Sequence, residues 1–291
     1  MKKNFTILTI MAMAFIMPFT INANTWNGST DTEWRSAGTN AYYIDTAEEL
    51  AGLASKVNSG TNYSGYTFYL TANLDLNGSS HNWDPIGFLS KDNWTNTNRN
   101  KRAFEGSFDG CGYLITNYNV NINNNTSNCS GSSRKVTAGL FGYASGAVIK
   151  NLSVTNSTLY LESKCIEHFG GAIVGFIAGG TLVDNCSSFN NSITVKAPYN
   201  AGLIAGAANA GGICGSAENS TAQNCSVYGN SITADGAKSE SSAAISNNYK
   251  GSDLTSNNTE YSSAADMTAG IAQKAQAQNE QIRLSLSLYC K

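Results

Sequence analysis

The chain reads as an all-β protein, a right-handed parallel β-helix with a short N-terminal capping helix, and three observations carry that reading. First, a block recurs: Ala138-Gly139-Leu140-Phe141-Gly142 precedes Asn151-Leu152, Gly171-Ala172-Ile173-Val174-Gly175 precedes Asn185-Cys186, and Gly211-Gly212-Ile213-Cys214-Gly215 precedes Asn224-Cys225. The blocks start 33 and 40 residues apart, so one supersecondary unit is repeated. Second, alignment on the Asn brings apolar residues into register, as in Ile149, Val183 and Ala222, then Leu152, Cys186 and Cys225, then Leu159, Ile193 and Ile232, then Leu161, Val195 and Ala234. Third, within a block these residues alternate with polar ones, which is the period of a strand with one buried face. Three short strands per block cannot bury that face alone, but blocks stacked about 4.8 Å apart share one continuous apolar column.

The elements follow in order. Residues 1–23 read as a signal peptide: Lys2 and Lys3 precede an apolar run from Ile7 to Phe19, too short to span a membrane, and cleavage is expected after Ala23. Residues 24–64 form the N-terminal cap. Within it Thr46-Ala47-Glu48-Glu49 has the capping-box pattern, and Leu50, Leu53, Ala54 and Val57 share one face, predicting a helix over 47–58. The β-helix proper is expected over 65–236, with Phe104 to Val120 as a coil ahead of the recognisable repeats. Residues 238–262 are rich in Ser and Asn and read as a loose loop or partly disordered segment. The whole 237–291 stretch is a polar tail, with a helix-like composition from Ser263 to Arg283 and Leu284, Leu286 and Leu288 alternating like a strand. Asn supplies 36 of the 291 residues. Asn and Gly tolerate left-handed corners, which every coil needs, and stacked Asn side chains can form amide ladders.

Gly139-Leu140-Phe141-Gly142 and Gly212-Ile213-Cys214-Gly215, each followed by an Asn-Leu or Asn-Cys strand, resemble the GLUG motif repeats of bacterial surface and secreted proteins; the middle copy departs as Ala172-Ile173-Val174-Gly175. Upstream, Ile44 to Leu50, Tyr69 to Leu76, Trp83 to Gly87 and Phe104 to Tyr113 look like the lead-in such proteins carry. The resemblance covers about residues 40–236 and implies a surface or secreted module. Similar repeats also stand beside the catalytic domain of IgA-cleaving metallopeptidases, but no His-Glu-x-x-His segment occurs in this chain.

Composition agrees with an extracellular scaffold. Charged residues are 13% of the chain against an average of about 25%. The net charge of −2 becomes about −4 once Lys2 and Lys3 are removed. Neither nucleic acid nor an anionic membrane surface is an expected partner, and the mature chain has no expected transmembrane segment. The expected location is extracellular, at the cell surface or in the periplasm. No Cys lies near Ala23, so no lipid anchor is expected there. Among the seven cysteines, Cys186 and Cys225 occupy one register position in successive blocks. They are either a candidate disulfide or buried small hydrophobes in the place of Leu152. No Cys-x-x-Cys occurs and the two histidines, His81 and His168, are far apart, so no metal and no cofactor is expected.

Catalytic constellations are hard to find. Asp109 lies in a Phe-Asp-Gly turn, Asp184 stands before Asn185, Asp75 and Asp84 lie in the lead-in, and no acid is seen beside a Lys or Arg at the same register. The chain is therefore read as no enzyme. Binding is preferred: a weakly charged surface rich in Asn, Ser, Thr and Tyr suits a neutral glycan or an extracellular protein. The ligand-binding candidates are Trp94, in Asp92-Asn93-Trp94-Thr95-Asn96, Trp83, which has a packing role under Pro85-Ile86-Gly87 as its alternative, and His168, placed in a loop from Glu162 to Phe169. Three readings result: an adhesin-like binding module, a structural spacer or assembly component without ligand, and a polysaccharide lyase or glycoside hydrolase.

Overall fold

The computed structural model describes residues 24–87, 102–124, 135–163, 167–197, 207–236, 239–250, 257–263, 265–267 and 269–270. The signal-peptide segment, Trp94 and the Leu284-to-Leu288 alternation lie outside the described residues. The chain divides into a unit spanning Ala23–Glu260 and a second unit made of Met1–Asn22 and Tyr261–Lys291. In the second, the Ser263 hydroxyl accepts the Asp266 backbone N–H at 3.1 Å, a local cap of a helical turn.

The first unit is a parallel β-solenoid. One full coil runs through five strands: Ser107–Asp109, Leu114–Thr116, Asn119–Asn124, Lys135–Ala138 and Phe141–Ser145. The next begins at Val148–Lys150, and equivalent strands hydrogen-bond in parallel to give five stacked sheets, numbered 1 to 5 in that order. Ser107 pairs with Val148, Val148 with Leu182 and Leu182 with Thr221, so successive coils take 41, 34 and 39 residues. Five strands replace the three expected per block. The additional sheets, 4 and 5, flank the Gly-Leu-Phe-Gly motif itself, where small residues concealed the strand alternation.

The expected registers hold. Ile149, Val183 and Ala222 are paired and fully buried, as are Leu161 and Val195, while Leu159 and Ile193 are buried and aligned with Ile232. Stacking also extends past 65–236 at both ends. On the N-terminal side Ala41–Ile44 joins sheet 1 beside Thr67–Leu70, and Asn24–Thr25 joins sheet 2 beside Leu74–Asp75. On the C-terminal side the expected loose loop contains three strands, Ser239–Ala243, Ser246–Lys250 and Thr259–Glu260, each parallel to the preceding coil. A fourth copy of the motif lies there with Ala243-Ala244-Ile245 in the place of Gly211-Gly212-Ile213, and the Ile213 N–H donates to the Ile245 carbonyl at 2.8 Å. Its Asn is Asn257, left-handed like Asn151, Asn185 and Asn224.

Asn and Gly divide the special backbone positions between them. Ten of the twelve described non-glycine residues with positive φ are Asn, and they sit at the corners. The motif glycines 139, 171, 175, 211 and 215 have ordinary φ and are needed for space: a Cβ on Gly171 would stand 2.3 Å from the Val174 carbonyl oxygen and 2.5 Å from the Gly215 nitrogen. They let sheets 4 and 5 meet backbone to backbone. The corner amides bridge coils, Asn185 donating to Asn151 at 2.8 Å and Asn151 to Asp109 at 3.0 Å. A second, buried ladder links Ser157, Asn191 and Asn230: Asn191 Oδ1 accepts from Ser157 N at 2.9 Å, and Asn230 Oδ1 accepts from Asn191 N at 2.9 Å.

The helix forms at Ala47–Asn58 as expected, with the reciprocal Thr46/Glu49 capping box and with Leu50, Leu53, Ala54 and Val57 in the main core. It lies in the chain between Ala41–Ile44 and Thr67–Leu70, neighbours in sheet 1, where later coils place the strands of sheets 2 to 5. Residues 83–87 and 102–104 join the same end. Ile86 bridges to Phe141, Phe104 bridges to Ala144, and the Trp83 N–H donates to the Asn119 carbonyl at 2.6 Å.

Candidate ligand-binding face

Sheet 1 positions one residue per strand in a continuous outer column. Arg35 pairs with Tyr43, Tyr43 with Tyr69, Tyr69 with Asp109, Asp109 with Lys150, Lys150 with Asp184 and Asp184 with Gln223. The residues that alternate with them, including Phe68, Phe108, Ile149, Val183 and Ala222, are fully buried, so strand alternation turns the column outward. The Arg35 guanidinium stands 4.4 Å from the Tyr43 ring centroid, and the Tyr43 and Tyr69 rings are 6.1 Å apart with a 46° tilt.

One ion pair stands on this column. Lys150 Nζ lies 3.3 Å from Asp109 Oδ2, and Asp109 Oδ1 accepts from the Cys111 backbone N–H at 2.9 Å and from Asn151. Burial alone would raise the Asp109 carboxyl, but these hydrogen bonds and the Lys150 ammonium outweigh it and hold the group below its ordinary range. A carboxylate held ionised in this way is a poor general acid near neutral pH. Asp184 Oδ1 accepts from Asn224 at 2.7 Å and from Gln223 at 3.2 Å. The column corrects the expectation that no acid stands beside a Lys or Arg at the same register. Asp109, Lys150 and Asp184 are neighbours, a fact hidden in the sequence by coils of unequal length.

A second feature is a cleft of about 470 Å³ where sheets 2 and 3 meet at the N-terminal end, lined by Asp75, Asn77, Ser79, Asn119, Asn156 and Thr158 among others. Its shape comes from two left-handed corners, Asn117 (φ +57°) and Asn156 (φ +52°), and from the Asn77 turn (φ +47°) seated on them through Gly78 N–H to the Asn117 carbonyl at 2.6 Å.

Two of the proposed contact residues are enclosed. Trp83 is 1% exposed, donates its indole N–H to the Leu140 carbonyl at 3.0 Å and packs edge-on to Trp26 at 5.5 Å. Its place is the packing one, because a ligand reaching it would have to open the core. His168 is not in a loop but in strand Glu167–Gly171, fully buried between Val136 and Ala208 of the adjacent coils. Burial pushes its pKa down to about 4 against the pull of nearby Ser163 and Ala207, and Nε2 is 2.8 Å from Ser163 Oγ. The structure holds Cys186 and Cys225 as thiols directed at backbone carbonyls, Cys186 Sγ 3.4 Å from the Asp184 oxygen and Cys225 Sγ 3.2 Å from the Gln223 oxygen. Among the described residues no three His, Cys, Asp or Glu side chains are grouped to hold a metal, and no helix is long and apolar enough to cross a membrane.

No protein-family model matches the chain, and no solved structure matches it. It is similar to a protein of Evansella cellulosilytica described as "Putative Gly-rich membrane protein", with 28% identity over 155 residues. That match covers 51% of this chain and 14% of the relative, so the chain spans a small part of the protein it resembles.

Proposed function

We propose that this protein is an exported, surface-exposed or secreted β-helix of GLUG type, acting as an adhesin-like binding module for a neutral glycan or an extracellular protein. The outer column of sheet 1 carries the reading: two tyrosine rings in line with the Lys150–Asp109 ion pair and two further charges of opposite sign, Arg35 and Asp184, offer stacking and hydrogen bonds with no net charge along the column. The low charge of the chain and the membrane-protein description of its relative support an envelope location. We read the protein as no enzyme; at this column the ionised Asp109 is a poor general acid, which weighs against a hydrolase there. The spacer reading is favoured by one observation, the satisfaction of corner amides within the stack.

A screen of glycans and matrix proteins against the mature chain tests the proposal. Binding is expected to vary little between low and moderate salt. Tyr69→Ala should weaken it by about 1 to 3 kcal/mol, as loss of an interface anchor does, and Trp94→Ala tests the second aromatic candidate. Absence of any ligand would favour the spacer, and product release from a polysaccharide would favour the lyase or hydrolase. Mass spectrometry of the exported protein should find Asn24 as its first residue.

A further inference from the structure

We propose that the cleft between sheets 2 and 3 is a subsite for one or two sugar units of an uncharged saccharide. The inference rests on the reading of the chain as a binding module, and it can fail separately from it. Some amides of the solenoid are taken up by the next coil, Asn151 by Asn185 and Asn191 by Asn230. The side chains of Asn119, Asn156 and Thr158 make no hydrogen bond among the described residues, and the three are gathered in one cleft. Asp75 uses Oδ1 to accept the Asn77 N–H at 2.8 Å, leaving Oδ2 as an outward acceptor.

The chemistry of the lining selects the ligand class. It holds no Lys, Arg or His, so an anion finds no partner. One carboxylate with neutral amides is a poor cage for a divalent cation, which takes six or more oxygens and gains most from several charges. Tyr118 is the lone aromatic of the lining and is buried, so an apolar ligand would meet mostly amides and hydroxyls. A polyol ring, with each hydroxyl both donor and acceptor, matches two amides, a hydroxyl and a carboxylate oxygen. A volume of about 470 Å³ lies within the range of small-ligand sites.

The test is titration of the mature protein with methyl glycosides, lactose, cellobiose and maltose, followed by calorimetry and amide chemical shifts. The variant is Asn119→Ala, Asn156→Gly and Thr158→Val together. Glycine keeps the left-handed corner at 156 that alanine would strain, and Asn156 and Thr158 are exposed, so the fold should persist. Expected are shift changes centred on residues 77, 119 and 156, and a Kd raised about tenfold or more in the triple variant, the loss of two or more ligand hydrogen bonds. Ser187→Ala, on sheet 2 in a later coil and outside the cleft lining, should leave this binding unchanged. Saccharide binding that survives the triple variant overturns the subsite while leaving the binding module in place. A wild-type chain that binds none of the probes overturns the subsite too, and the module then stands or falls on the matrix-protein screen.

Discussion

The two ends of the solenoid are built on one backbone plan with very different side chains. Along one inward column of sheet 1 the residues run Phe68, Phe108, Ile149, Val183, Ala222, and along sheet 5 they run Phe141, Val174, Cys214, Ser246. At the N-terminal end aromatic rings meet across the core, Phe108 with Phe141 at 5.3 Å and Phe104 with Phe141 at 5.3 Å, and a helix joins the same cluster. At the C-terminal end Ile232, Ala234, Ala244 and Ile245 are only partly buried, and Asn258 closes one column by accepting the Cys225 N–H at 2.8 Å and donating to the Ala222 carbonyl at 2.8 Å. Parallel pairing therefore sets the register in every coil, while the apolar volume that stabilises the stack is concentrated near its start.

Removing one side chain from each end should separate the two ends energetically. Phe108→Ala should cost about 3 to 5 kcal/mol, a large buried ring lost from a packed site, whereas Ile232→Ala should cost about 1 kcal/mol because its site is already partly open. Equal shifts in chemical denaturation would show that the taper has no energetic meaning.

His168 probes the middle of the stack by pH. Its folded pKa of about 4 lies below the ordinary 6.5, so the unfolded chain takes up the proton first. Stability should be complete above pH 6.5 and fall as the pH drops from there toward 4, by about 3 kcal/mol in total. Urea titrations across this range should show the slope, and His168→Gln should remove most of it.

A smaller contrast lies in the motif. Gly171→Ala should cost about 1 to 3 kcal/mol, since its Cβ would meet the Val174 carbonyl oxygen at 2.3 Å. Ala244→Gly, in the last copy, should change stability by less than about 1 kcal/mol. Thermal melts of the pair check whether close approach matters at one end only. The smallest effect is expected for Ser187→Asp, within about 0.5 kcal/mol, because Ser187 is only partly buried on the outer face of sheet 2 beside Ser153. A large loss there would contradict the assigned facing of the strand.

Much of this fold could be read from local pattern. The alternation of Leu159 and Leu161, the Asn that begins each strand of sheet 2, and the Thr46-to-Glu49 box are signals carried by neighbouring residues. The structure follows them. The candidate sites were much less legible. For Trp83 the packing alternative could be read from Pro85-Ile86-Gly87, but not its partners, since Trp26 and Leu140 reach it from distant parts of the chain. Asp109, Lys150 and Asp184 look isolated until coils of 41 and 34 residues place them side by side. The fourth coil carried one readable sign, Asn257, 33 residues after Asn224, but its Ala-Ala-Ile-Ser motif lacks the glycines that marked the others.

Residue type and spacing were enough to give strands of period two stacked in parallel, the inward columns shared by the repeats, and the start of a capped helix. The tertiary structure alone decided that a coil has five strands, that the motif glycines serve close approach while Asn takes the left-handed corners, and which outward residues become neighbours. The physical reason is common to all three. Contact between coils depends on the length of chain spent in each turn of the solenoid, and that length is set by how backbone meets backbone across the stack, which no local pattern records.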